Sequence, residues 1–180
     1  SAVFSLARRV RSSSFSTSDT SLNTSPHIEE ERLPLSPFIY FEIEVPENLE
    51  ENCAFAVGVT PIQFDVNTLP GYCLGSYAWH GIEGVLYCGQ NDKTCLFEDD
   101  GKHHFGPGDT VGCGYDLFAQ QIYWTKNGIY IGPAKGGASA VNKKHASFLF
   151  ATAGLECSAP VDIKGNFGRD PFKFDWRSID

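Results

Sequence analysis

Five histidines, six cysteines and 22 acidic residues give this 180-residue chain the raw material for metal or nucleophilic chemistry, so spacing has to decide. His103 and His104 are adjacent in a polar stretch, and neighbours in an extended chain project to opposite sides, which makes a shared metal difficult. His80 lies in the run Trp79-His80-Gly81, where a structural hydrogen bond and a ligand contact are the two readings. Glu98-Asp99-Asp100 is an acidic turn, and adjacent carboxylates without further ligands mark a solvated loop more readily than a hard-cation site. The chain contains neither a Gly-x-Ser-x-Gly nucleophile elbow nor a phosphate-cradling glycine loop. No catalytic residue, metal ligand or cofactor is assigned, and the chain is read as a non-enzyme.

The cysteines, at positions 53, 73, 88, 95, 113 and 157, are widely spread and lack zinc-knuckle spacing. They are read as free thiols, with disulfides as the alternative, because a domain of this size does not need staples. Free thiols and absent targeting signals point to the cytoplasm or the nucleus.

Residues 1–32 form a Ser-rich segment expected to be mostly mobile, with the first residues available as an edge strand. Its first 27 residues hold nine Ser, three Thr and three Arg against one Asp. Arg9-Val10-Arg11-Ser12-Ser13-Ser14-Phe15 is a pattern that a basophilic kinase reads, making Ser14 the candidate acceptor; a solvated linker and a remnant of a mitochondrial targeting peptide are the other readings. The chain has no Met, which suggests a processed or excised piece of something longer.

The elements that would position a site come from the rest of the chain. Hydrophobic residues make up 42%, enough for a buried core. With 14 basic residues against 22 acidic ones, the net charge of -8 argues against nucleic acid as a partner. No apolar run is long enough to span a bilayer, so no membrane partner is expected. Eighteen Gly, ten Pro and 13% aromatic residues favour short strands joined by tight turns.

Phe38-Ile39-Tyr40-Phe41-Glu42-Ile43-Glu44-Val45 alternates, with Phe41, Ile43 and Val45 on one face and Tyr40, Glu42 and Glu44 on the other, which predicts a half-buried strand. Residues 53–59 predict a second strand, whose small residues imply close approach of a neighbouring sheet. Residues 108–116 alternate Gly with bulkier side chains, again predicting a face against the opposing sheet. Asn127-Gly128 between two apolar runs is the strongest hairpin signal in the chain, because both residues tolerate positive φ. No amphipathic helix of useful length is visible between residues 38 and 180.

Between the second strand and residue 80 lies a loop with too many apolar side chains for a passive connector. Phe64, Leu69, Tyr72, Tyr77 and Trp79 are candidate partner-binding anchors, with His80 beside them. Tyr77 and Trp79, two apart in a strand, are alternatively core residues. Lys135, Lys143 and Lys144 give residues 133–147 a positive rim that would steer an acidic peptide.

The order of motifs resembles a SPRY domain, the B30.2-like β-sandwich, of the Ran-binding protein M type. The resemblance rests on Tyr40-Phe41-Glu42-Ile43-Glu44-Val45, Ala56-Val57-Gly58-Val59, Leu69-Pro70-Gly71, Ser76-Tyr77-Ala78-Trp79-His80-Gly81, Phe105-Gly106-Pro107-Gly108-Asp109-Thr110-Val111-Gly112, Trp124-Thr125-Lys126-Asn127-Gly128 and Asn166-Phe167-Gly168 with Pro171-Phe172-Lys173-Phe174-Asp175. It covers residues 33–177. It implies an all-β sandwich of two antiparallel sheets, monomeric in isolation, that binds a protein or peptide ligand through loops at one end, as a scaffold or substrate-receptor part, in some relatives within ubiquitin ligase assemblies. Leu155 and Glu156 match a position where some SPRY relatives present a ligand-contacting side chain. Three departures stand out: part of the family's upstream binding surface is expected to be missing, the turn at Phe118-Ala119-Gln120 is unusually apolar, and the loop at 133–147 is enlarged. A structural packing domain within a larger assembly is the alternative function.

Overall fold

The computed structural model describes residues 2–5, 38–50, 52–89, 94–97, 103–141, 149–158 and 160–178. Its strands are β1 (Ala2–Ser5), β2 (Phe38–Glu44), β3 (Ala54–Pro61), β4 (Tyr77–His80), β5 (Val85–Cys88), β6 (Thr94–Cys95), β7 (Thr110–Asp116), β8 (Gln121–Lys126), β9 (Ile129–Pro133), β10 (Leu149–Glu156) and β11 (Lys164–Asn166). They form two antiparallel sheets, a six-stranded one ordered β1-β10-β3-β4-β5-β6 and a five-stranded one ordered β11-β2-β7-β8-β9. Among the described residues the only helical elements are two short 3-10 turns, at Lys135–Gly137 and Trp176–Ser178.

Alternation along the strands builds the core. Phe41, Ile43 and Val45 from β2 and its extension face Phe55, Val57, Trp79 and Leu86 of the larger sheet, together with Val111, Ile122 and Trp124. Trp124 crosses the interface fully: its Nε1 donates to the Val57 carbonyl of the other sheet at 3.2 Å. Trp79 Nε1 donates to His103 O at 2.7 Å, and its ring meets those of Phe97 and Phe105 edge-on. Truncating either indole to Ala would cost about 3–5 kcal/mol, because the cavity left is too large to collapse. The hairpin at Asn127-Gly128 forms as the sequence requires, with φ of 51° and 81°.

Three expectations need correcting. The β2 face carrying Tyr40 and Glu42 is covered, because residues 172–174 return across it and place Phe172 and Phe174 against the Tyr40 ring. Gly112 and Gly114 face those aromatic rings and not the opposing sheet: a Cβ at Gly112 would overlap the Tyr40 hydroxyl, and one at Gly114 the Tyr123 ring. Cys53 and Cys157 are a disulfide, with Cα atoms 4.9 Å apart, so the six-free-thiol reading and the compartment argument built on it fall. The β3–β10 ladder explains the pairing: Ala54 lies opposite Glu156, so the next residues outward meet although 104 positions separate them. Cys73, Cys88, Cys95 and Cys113 are free.

Candidate partner-binding surface

The loop between β3 and β4 is seated on the outer face of the larger sheet. Small residues make the seat: a Cβ at Gly154 would overlap Pro70 and crowd Leu69, and one at Gly71 would press on the Tyr87 and Ala78 Cβ atoms. Gly154 of β10 and Ala78 of β4 thus admit a loop on this face. Leu69 and Pro70 are buried by this docking. Ser76 fixes the return of the loop, its hydroxyl donating to Cys73 O at 2.7 Å and accepting from Gly71 N at 2.8 Å.

His80 closes the seat from beneath. Its Nε2 donates to the Pro70 carbonyl at 2.8 Å, while Nδ1 lies 3.3 Å from Glu83 Oε2. Its ring stacks obliquely between Tyr72 and Tyr87, at centroid distances of 4.9 and 4.4 Å. Burial holds the imidazole below its ordinary range, outweighing the Pro70 and Glu83 interactions that favour the charged form.

This docking sorts the sequence-derived residues. Trp79 and Leu155 lie in the core, and Leu69 and His80 are buried in the loop seat, so these four support the surface without presenting side chains on it. Phe64, Tyr72 and Tyr77 are half-buried, and Tyr77 packs against the core cluster with its hydroxyl 3.5 Å from Ala140 O. Lys135 and Glu156 are exposed but are not brought together. Lys135 follows β9 beside Leu96, to which its backbone N–H donates, whereas Glu156 ends β10, with β3, β4 and β5 between β10 and β6. A single site drawing on all three loops is therefore not assembled by the described residues. Ser14, Lys143, Lys144 and the 98–100 turn lie outside the described residues.

Sequence reasoning missed the residues that the loop does expose. Ile62 and Leu74 are each 70% exposed and Val66 is exposed as well, with Gly75 beside Pro61 joining the two arms of the loop. Their signal was available in the apolar character of the loop, but not which side chains the seat would consume. At the end of β3 and β10, Glu156 borders a polar cleft of about 310 Å³ with Glu50, Asn52, Cys53, Cys157 and Ser158. An apolar cleft of about 510 Å³ opens between the sheets beside Ile43, Ala151, Ala153, Ile163 and Phe167. Among the described residues, no three His, Cys, Asp or Glu side chains converge as metal ligands would. His104 instead donates from Nδ1 to Ile82 O at 2.7 Å. No helix among them is long and apolar enough to cross a membrane.

The family model for the SPRY domain matches residues 38–170. The chain belongs to the SPRY domain family. The SPRY domain is a protein-interaction fold. The domain is 32% identical over 141 residues to a Ran-binding protein M homolog of Arabidopsis thaliana, covering 76% of this chain and 26% of that protein. It is 30% identical over 141 residues to a Ran-binding proteins 9/10 homolog of Drosophila melanogaster, covering 76% of this chain and 13% of the relative. A protein named as the dual specificity protein kinase splA of Dictyostelium discoideum is 31% identical over 139 residues, which is 77% of this chain and 5% of the kinase. The SPRY match thus spans a small part of each of these relatives. A crystal structure of a human SPRY domain superposes with a TM-score of 0.56 at 24% identity, covering 73% of this chain and 78% of that one, which is agreement in fold.

Proposed function

We propose that this SPRY domain is a non-catalytic binding module of a longer protein, acting as a scaffold or substrate-receptor part. It captures a peptide or partner loop on the exposed edge of the 61–76 loop. The observation that carries this reading is the contrast within that loop. Leu69 and Pro70 are buried in a fitted seat, while Ile62, Val66 and Leu74 stand in solvent on the same rigid support. Anchors held still before binding lose little entropy on capture, so exposed apolar groups on a fixed loop favour recognition. Tyr72 and Phe64 flank the exposed side chains, and Glu156 with its cleft forms a separate polar contact at the strand ends.

The partner is a protein, not nucleic acid or a membrane, and the isolated domain is monomeric. The cytoplasm or nucleus remains the proposed site of action, on the likeness to Ran-binding proteins. Affinity capture with the full-length parent, followed by direct measurement on the recovered partner, tests the reading. Ile62→Asp with Leu74→Asp should abolish capture while the fold survives; unchanged affinity would remove the loop from the interface.

One observation supports packing within a larger assembly instead. Phe118, 82% exposed, caps a turn whose backbone is pinned by Asp116 Oδ1 accepting from Phe118 N and Ala119 N. A domain used as an internal spacer would self-associate when isolated, and Phe118→Ser would reverse that.

A further inference from the structure

We propose that the Cys53–Cys157 disulfide is a reversible redox clasp that sets the geometry of the polar cleft at the ends of β3 and β10. The inference does not depend on the partner-binding role of the 61–76 loop. The bond lies at the margin of the core: Cys53 is buried, Cys157 is partly exposed, and both line the cleft with Glu50, Asn52, Glu156 and Ser158, so a small thiol approaches from the cleft on the Cys157 side. The remaining free cysteines include Cys113 and Cys88, which are buried in the core.

The fold does not hang on the bond. β3 and β10 are registered along their whole lengths, from Leu149 opposite Pro61 to Glu156 opposite Ala54, and the core behind them holds Phe55, Val57, Ala153 and Leu155. Beyond the ladder, the described link across the cleft other than the disulfide is an exposed hydrogen bond from Ser158 Oγ to Glu50 Oε2, at 3.2 Å. An exposed bond of that kind competes with water and does not hold two chain segments alone. Opening the disulfide therefore leaves the sandwich intact and frees the two cleft walls to separate.

The chemistry balances by thiol–disulfide exchange. In closing, the two thiols lose two electrons and two protons in total to a small disulfide such as oxidised glutathione, giving the Cys53–Cys157 bond and two glutathione thiols. A reducing dithiol reverses the reaction through a mixed disulfide at the more accessible sulfur, becoming a cyclic disulfide itself.

The test is thiol counting by differential alkylation and mass spectrometry on the full chain, with amide exchange read in parallel. After oxidised glutathione, Cys53 and Cys157 should be protected from alkylation. After a dithiol under native conditions both should be labelled, far-ultraviolet circular dichroism should be unchanged, and residues 47–50 and 161–163 should exchange roughly tenfold faster. Cys157→Ser should show the fast exchange with and without dithiol. Failure of the bond to form, or its reduction only together with global unfolding, overturns the proposal; if Cys157→Ser does not fold, the wild-type thiol count and exchange still decide.

Discussion

The Glu42 carboxylate, only 4% exposed, accepts the backbone N–H of Phe174 at 3.0 Å across 132 positions of sequence. Its other oxygen, Oε2, accepts from Lys173 N, also at 3.0 Å, and the Tyr40 hydroxyl donates at 3.0 Å to Oε1, the oxygen that takes Phe174 N, while lying 2.6 Å from Thr125 Oγ1. Burial raises the Tyr40 phenol far above its ordinary range, so it remains a donor at any working pH. One carboxylate thus ties the C-terminal strap to the middle of the smaller sheet.

Glu42→Ala should therefore destabilise the domain by about 2–4 kcal/mol, because two backbone donors lose a charged acceptor in a dry site. Glu42→Gln keeps one carbonyl oxygen and should lose less. Urea denaturation of the two variants checks the order, and losses near zero in both would mean that the strap is held by its aromatic rings alone.

Gly154→Val should drive Leu69 and Pro70 off their seat, since even a Cβ overlaps the proline ring. We expect a loss of about 1–3 kcal/mol, typical of overpacking, with proteolytic sensitivity rising in residues 62–75. A variant as stable and protected as wild type would show that the loop is not supported from beneath.

His80 makes the loop seat pH-dependent. Desolvation lowers its folded pKa below 6.5, against the smaller opposing effects of the Pro70 carbonyl and Glu83. On acidification the unfolded chain takes up the proton first, so the stability contributed by His80 is complete above pH 6.5 and declines as pH falls through 6.5 toward the folded value. Comparing urea midpoints of wild type and His80→Gln at neutral and mildly acidic pH isolates this effect. Parallel declines in the two proteins would assign the acid sensitivity elsewhere.

Ile62→Asp and Leu74→Asp should leave stability within about 0.5 kcal/mol of wild type, because both side chains already stand in water. Partner affinity should nevertheless fall at least tenfold, or about 1.4 kcal/mol. Calorimetric titration against the captured partner, beside thermal melts, separates recognition from folding.

Local patterns carried the architecture. Alternation in residues 38–45, the Asn127-Gly128 turn and the spacing of glycines gave strands and turns, hence an all-β chain, because those signals act within a few residues; the two-sheet sandwich came from the resemblance to the SPRY family. What they could not give was the identity of the layer on each face. The sparse faces at Gly112 and Gly114 were assigned to sheet packing, and only the tertiary arrangement shows aromatic rings filling them, as it shows a proline over Gly154. Cys53 and Cys157 illustrate the same limit, since their proximity depends on the register of two strands distant in sequence. The candidate binding residues were the least legible part, because Trp79, which reads as an aromatic anchor, and Leu155, which the family resemblance offered, are both core residues.

The separation of the β3–β4 loop into a buried footing and a free crest has an evolutionary consequence. Residues 69–71 are fixed by shape against the strands, but 62, 66 and 74 touch little of the scaffold they ride on. The sequence can drift at those three positions at almost no thermodynamic penalty, so the chemistry of the crest can change without rebuilding the sandwich.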